Sequence, residues 1–254
     1  MRKARKQQLP QSGGLVHEFW QLHNREFHLD SNHLKQVLYA CLKFGLTHQK
    51  LDSKVKVHAY CFMGNHCHQV LKYVGESYSL SFFMKLMNGE FARRFHKIFK
   101  SSGAVNNGRP KTIPIEEHSA SEMRAHMYVE ANPLRARICR RGKLRYYRFN
   151  SYRYYAYGIR DEYTEVISPP KWYISLGATP SQRQRRYRRL FEKYITQGMP
   201  LVSRLIKKID GLVTEKRHSF RNRWKPHHEV IANQMIRRID ELIQRSSIPH
   251  RGNV

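Results

Sequence analysis

The stretch Lys54-Val55-Lys56-Val57-His58-Ala59-Tyr60-Cys61-Phe62-Met63, followed by Gly64-Asn65 and then His66-Cys67-His68-Gln69-Val70-Leu71-Lys72-Tyr73-Val74, decides the fold. Its first part is rich in β-branched and aromatic residues, Gly64-Asn65 is a turn signal, and the second part resumes the β-forming character. The two halves are expected to pair as an antiparallel hairpin. On a strand, residues two apart point to the same face. His66 and His68 therefore present two imidazoles side by side, a geometry suited to a divalent metal, while Cys67 points into the core. In a chain with 15 histidines the pair alone is weak evidence for a metal and reads more readily as two exposed sheet histidines.

Working outward, Leu15–Leu29 reads as an extended segment with Val16, Phe19, Trp20, Leu22 and Phe27 as its apolar members. Asp30-Ser31-Asn32 offers capping side chains, and Leu34, Val37, Leu38, Cys41, Leu42 and Leu46 follow at helical spacing. After the hairpin, Ser77 or Ser79 starts a helix to about Lys100 whose apolar face uses Leu80, Phe83, Met84, Met87, Phe91, Phe95 and Ile98. A polar loop, Ser101–Gly108, leads to a short strand at Lys111–Ile115 and a helix from Glu116 to about Asn132. This order predicts an α+β fold: an antiparallel sheet covered by helices on one side, of ferredoxin-like type.

Beyond Arg140 the character changes. Residues 141–160 are crowded with Arg, Lys and Tyr and show little periodicity; Pro169-Pro170 and Gly177–Ser181 punctuate the chain before a basic helix at Arg183–Ile195. Leu201–Val213 and Glu229–Arg245 read as two amphipathic helices. The expected organisation is a basic flexible arm (1–14), a catalytic domain (15–140), a basic Tyr/Arg-rich extension (141–198) and a helical tail (199–254).

The charge balance names the partner class. Lys plus Arg total 47 against 19 acidic residues, a formal charge of +28. A domain so charged calls for a polyanion, and nucleic acid with counterion release fits better than an anionic membrane, since no long basic amphipathic helix dominates. No apolar run reaches the ~20 residues of a bilayer span, and no apolar stretch follows the basic N-terminus. The four cysteines are scattered without a CxxC pair, as in a reduced cytosolic protein. A cytoplasmic, nucleoid-associated protein is expected.

A second constellation is Tyr128-Val129-Glu130-Ala131-Asn132-Pro133-Leu134-Arg135-Ala136. Tyr128 and Asn132 are four apart, on one face of a helix. An amide oxygen there can be a third metal ligand, and the phenol beside it can attack a phosphorus. Read plainly, Tyr128 is one of 15 tyrosines and Asn132 a helix terminator before Pro133.

Together, Val57–His68 and Tyr128–Ala136 resemble the signature of the IS200/IS605-type single-tyrosine transposases, whose metal motif is histidine-hydrophobic-histidine (HUH). Within these, the Tyr-x-x-x-Asn-Pro block is similar to that of the REP-associated tyrosine transposases. The resemblance extends over about residues 15 to 197 and takes in Phe82-Phe83-Met84-Lys85, Phe91–Phe95, Trp172-Tyr173, Leu176-Gly177 and Tyr187-Arg188. Gly64 and Cys67 depart from the family pattern, where proline and an aliphatic are expected. So do the loop Asn106–Arg109, which lacks a tryptophan, and the bulky, charged Glu18-Phe19-Trp20.

The resemblance implies a HUH endonuclease fold, Mg2+ or Mn2+ rather than Zn2+ on His66, His68 and Asn132, and Tyr128 as nucleophile forming a 5′-phosphotyrosine. Its implied substrate is hairpin DNA with an adjacent single strand. Basic residues with interleaved aromatics are expected to bind that DNA: Arg109, Arg141, Arg145, Arg148, Arg153, Arg183, Arg185, Arg186 and Arg188. The tyrosines among them serve equally well as packing residues. His17, His23, His28, His58 and His96 read as structural or surface residues, no general base stands out, and nothing singles out Glu116, Glu117, Glu122 or Glu130. A monomer is expected, with a dimer as the other possibility. A domesticated hairpin-DNA binder without the reaction, a rolling-circle initiator or relaxase, and an RNA-binding protein are the rival readings.

Overall fold

The computed structural model describes residue 9, residues 12–51 and residues 53–199. Most of the expected arm, the helices read at Leu201–Val213 and Glu229–Arg245, and nearly all of the expected tail lie outside the described residues.

Four strands form one antiparallel sheet: β1 (Gly13–Gln21), β2 (Val55–Phe62), β3 (His66–Val74) and β4 (Lys111–Ile115), in the order β2-β3-β1-β4. Helix α1 (Asn32–Leu46) connects β1 to β2, and α2 (Ser77–Phe99) connects β3 to β4. This is the split βαβ arrangement of the α+β reading. The expected hairpin is β2-β3. Gly13-Gly14, read as the end of an arm, begins β1 instead. The extended segment read over Leu15–Leu29 holds its strand only to Gln21, then tightens into 3-10 turns at His23–Arg25 and His28–Asp30.

The elements stop and start for local reasons. Ser31 caps α1, its hydroxyl accepting from the Leu34 N–H. Neither Ser77 nor Ser79 caps α2; its N-cap is Glu76, without a side-chain bond. Gly64 sits where a β-carbon would meet the Asp30 carboxylate and lie 3.1 Å from the Phe27 ring, so a larger residue there needs Asp30 to swing aside. A proline at this point would meet the same carboxylate.

Alternation along the strands gives the sheet two apolar faces. Val16, Trp20, Val57, Tyr60, Phe62, Cys67, Leu71 and Tyr73 belong to the main core with residues of α1 and α2. Leu15, Ala59, Cys61 and Val70 face the other way and form a smaller cluster with Met63 and Val129. That second face is covered by α3 (Ser119–Glu130), so helices cover both sides rather than one. The reason is the apolar row itself, which water would otherwise meet.

A β-bulge at His58 sets two steps of β2, Val57 to Ala59, against one step of β3, Leu71 to Val70. His58 Nδ1 lies 2.6 Å from Glu122 Oε1 on α3, tying that helix to the sheet. The stretch after α3 runs through α4 (Asn132–Arg135), a 3-10 turn at Arg141–Tyr146, α5 (Tyr152–Tyr157), α6 (Lys171–Ile174) and α7 (Pro180–Lys193). It seals the open edge of β2, where Phe62 N–H donates to Phe149 O, Ser151 N–H to Tyr60 O and Ser168 N–H to Val57 O. Tyr155, Tyr187 and Phe191 from this stretch join the main core.

Candidate active site

The two sheet faces differ in polarity at one end. On the α3 side, the registers Phe19↔His68, His17↔Val70 and Gln21↔His66 bring His17, Phe19, His66 and His68 onto one patch of sheet. The rings of His66 and His68 lie 5.0 Å apart, and Phe19 lies 5.6 Å and 4.8 Å from them. The alternation that places His66 beside His68 is the one read from the sequence.

Each imidazole has its own support. Asn65 Nδ2 donates to Arg25 O at 3.1 Å, which turns its Oδ1 toward His66 Nδ1 at 2.6 Å. His66 thus donates from Nδ1, and its Nε2 carries the lone pair. His68 Nδ1 lies 2.9 Å from Nε2 of His17, and the two rings meet edge to edge, nearly coplanar, with centroids 5.1 Å apart. Burial holds His17 and His66 down to about 4, with the Arg135 charge adding to the effect on His66. Burial pushes His68 well below the usual histidine value, reinforced by His17, His66 and Arg135. All three imidazoles are therefore neutral at pH 7, the form that binds metals.

Tyr128 reaches the patch from α3. Its half-buried ring stands edge-on to His17 at 5.6 Å and to His68 at 5.9 Å. Helix α3 ends at Glu130, and Asn132 opens α4 after the cap at Ala131, so Tyr128 and Asn132 do not lie on one uninterrupted helix. The Asn132 amide nitrogen donates to the carbonyls of Tyr128 (3.0 Å) and Val129 (3.2 Å), closing the end of α3. Its Oδ1, turned away from those bonds, faces Arg135 NH1 at 3.5 Å. Arg135 places its guanidinium over the Tyr128 ring, 4.5 Å from the centroid, and its buried Nε has no hydrogen-bond partner among the described residues. Among the described residues no three His, Cys, Asp or Glu side chains form a metal cluster. Two neutral imidazoles side by side are suited to a divalent cation, and Asn132, whose Oδ1 has Arg135 NH1 as its neighbour, stands at the start of α4 close in sequence to Tyr128.

The chain is similar to a REP-associated tyrosine transposase whose structure was solved bound to a REP hairpin, with 14% identity over 63% of this chain and 89% of that one and a TM-score of 0.49. It is also similar to a candidate transposase from Deinococcus radiodurans R1, with 19% identity over 50% of this chain and 96% of that one and a TM-score of 0.32. No protein-family model matches the sequence, and no curated protein does.

Three residues near the tyrosine escaped the sequence reading. His17 was set aside as structural or surface, yet it bonds to His68; strand alternation gave its parity with Phe19 but not the register that brings it to β3. Arg135 appeared only as part of a motif. Glu130, which nothing in the sequence singles out, is fully buried and is the hub that holds α3 in place. Its carboxylate accepts from Ser151 Oγ at 2.6 Å and from the Tyr187 hydroxyl, and lies 3.1 Å from His126 Nε2. Asn150 Nδ2 donates to its carbonyl at 2.9 Å. The i, i+4 spacing of His126 and Glu130 was the one local signal available.

The arginines proposed for DNA contact divide into two kinds. Arg153 is 8% exposed and its guanidinium is engaged by Asp161, unlike the exposed arginines of the same run. Arg183 donates to the carbonyls of Gly177 and Ala178, Arg186 to that of Leu176, and Arg188 to that of Ala156. Those carbonyls lie at or beyond helix ends; the bonds orient the guanidinium groups without neutralising them, and Arg186 stays exposed. Arg141 pairs with Glu192, and Arg148 lies 4.0 Å from Glu162. Arg109, Arg145 and Arg185 are exposed, with Arg145 lying over the rings of Tyr146 and Tyr157. Of the tyrosines beside them, Tyr152 and Tyr155 are buried and Tyr147 donates to Phe62 O at 2.9 Å. Only Tyr146 and Tyr157 keep an exposed ring in that run.

Proposed function

We propose that this chain nicks and rejoins single-stranded DNA next to a hairpin, as a metal-dependent HUH-type transposase whose Tyr128 forms a 5′-phosphotyrosine. The observation that carries the reading is the meeting of Tyr128, from α3, with the neutral His66–His68 pair of β3 on one patch of sheet, ring to ring at 5.9 Å for Tyr128 and His68. The motif resemblance supplies the reaction, and the strongly basic composition supports a polyanionic substrate.

In this reading His66 and His68, with Asn132 Oδ1, hold Mg2+ or Mn2+. When bound, the ion supplies Lewis-acid polarisation of the scissile phosphate. Arg135 steadies negative charge on the phosphate through its guanidinium, which lies over the ring of Tyr128. The Tyr128 oxygen attacks phosphorus as its proton passes to water; the phosphorus–O3′ bond breaks, and the leaving 3′ oxygen takes a proton. The phosphotyrosine bond retains the phosphodiester energy, so a second 3′-hydroxyl can attack it and release Tyr128. Glu130 and His58 fix the helix that presents the tyrosine.

The test is incubation of the full chain with end-labelled hairpin DNA carrying a single-stranded flank. A covalent protein–DNA adduct is expected with Mn2+ or Mg2+, absent with EDTA and in a His66→Ala/His68→Ala double variant. Tight binding without any adduct in Mn2+ or Mg2+ would instead establish a hairpin-binding protein, and adducts on RNA alone would redirect the assignment to RNA.

A further inference from the structure

We propose, resting on the metal reading above, that His17 is a positioning residue that fixes the tautomer of His68, accepting its Nδ1–H so that His68 Nε2 keeps a lone pair for a divalent cation. The 2.9 Å contact between His17 Nε2 and His68 Nδ1 holds a single proton between two neutral rings. If His17 donated it, His68 would carry its own proton on Nε2 and could not ligate through that atom. If His17 accepts it, the His17 proton sits on Nδ1 and His68 Nε2 is bare.

The neighbouring ligand shows which arrangement the site is built for. Asn65 Oδ1 takes the Nδ1–H of His66, because the Asn65 amide nitrogen is committed to Arg25 O. Each member of the pair thus has a polar partner at Nδ1 and its Nε2 turned away from that partner. The outer partners of metal-binding histidines work in this way, setting both ring orientation and the nitrogen that binds. His17 also holds the ring mechanically. It lies nearly coplanar with His68, planes 23° apart and joined edge to edge, while Phe19 packs at 4.8 Å. It sits on the central strand β1, where the sheet register leaves little freedom.

Metal-free protein with 15N-labelled histidine should show, at neutral pH, His68 protonated at Nδ1 and bare at Nε2, with His17 bare at Nε2. His68 protonated at Nε2 would overturn the proposal, and this result needs no variant to fold. Mn2+ affinity, read by titration calorimetry on variants first shown to fold by circular dichroism, adds a second measure. His17→Gln keeps an acceptor oxygen and should stay close to wild type, whereas His17→Leu should bind on the order of 10–100-fold more weakly. Wild-type affinity in His17→Leu would also overturn the proposal. If the wild-type protein takes up no Mn2+, the metal reading falls and this proposal with it; Mn2+ uptake with His68 in the other tautomer overturns this proposal alone.

Discussion

The guanidinium of Arg135 lies over the ring of Tyr128, 4.5 Å from its centroid. A phenol in water ionises only near pH 10, so a tyrosine that attacks phosphorus at neutral pH needs charge stabilisation nearby. A charge-assisted hydrogen bond to phosphate is worth about 1.5–3 kcal/mol. Arg135→Gln is therefore expected to slow single-turnover adduct formation by roughly 10–100-fold, with a smaller effect on hairpin affinity. Arg135→Lys should recover only part of the rate, because an ammonium lacks the planar fork. A wild-type rate in Arg135→Gln would remove this residue from the reaction.

Glu130 makes a prediction about stability instead. Its carboxylate meets Ser151, Tyr187 and His126 in the core, and truncation would leave those groups unpaired. Each buried orphan costs roughly 1–3 kcal/mol. Glu130→Ala should lower the urea midpoint sharply, and Glu130→Gln, which keeps an acceptor, should lower it less. Equal midpoints for Glu130→Ala and wild type would show that the hub does not hold α3.

The arginines separate by what they already bind. Arg153→Ala should lower stability through loss of the Asp161 pair while leaving the salt dependence of DNA binding unchanged. Arg185→Ala/Arg189→Ala removes two exposed charges of α7 and should weaken binding with little change in stability. The slope of log affinity against log salt should become shallower by about 1 to 2. A changed salt slope in folded Arg153→Ala would contradict the internal assignment.

Acid should loosen the metal-free protein. In the unfolded chain histidine ionises at about 6.5, but His17 and His66 are held down to about 4 in the fold. Between those values the unfolded chain binds more protons, so stability falls as pH drops from about 6.5 toward 4. Denaturant titrations in EDTA should show this decline, and His17→Leu should show a shallower one. Parallel curves for the two proteins would mean that His17 does not resist protonation in the fold.

Much of this arrangement was legible where the signal is local. The alternation around Gly64-Asn65 predicts the β2-β3 hairpin and the shared face of His66 and His68, and Ser31 caps α1 as its position suggests. What escaped depends on distant partners. His17 reaches His68 only through the β1-β3 register, and Glu130 meets Ser151 and Tyr187 across loops that carry no period. The Tyr/Arg run after Arg140 alternates buried rings with exposed charges on turns too short to show a helical stripe, so Arg153 could not be told from Arg145. The cover of α3 on the second sheet face was implied by Leu15, Ala59 and Val70, but only once strand pairing was known.

The most direct test of the account is to map the site of the covalent link. Hairpin DNA with a single-stranded flank is incubated with the protein and Mn2+, the adduct is digested, and the nucleotide-bearing peptide is identified by mass spectrometry. The account predicts a 5′-phosphate ester on Tyr128 and no adduct from Tyr128→Phe. An adduct on another residue, or one that persists in Tyr128→Phe, would contradict it.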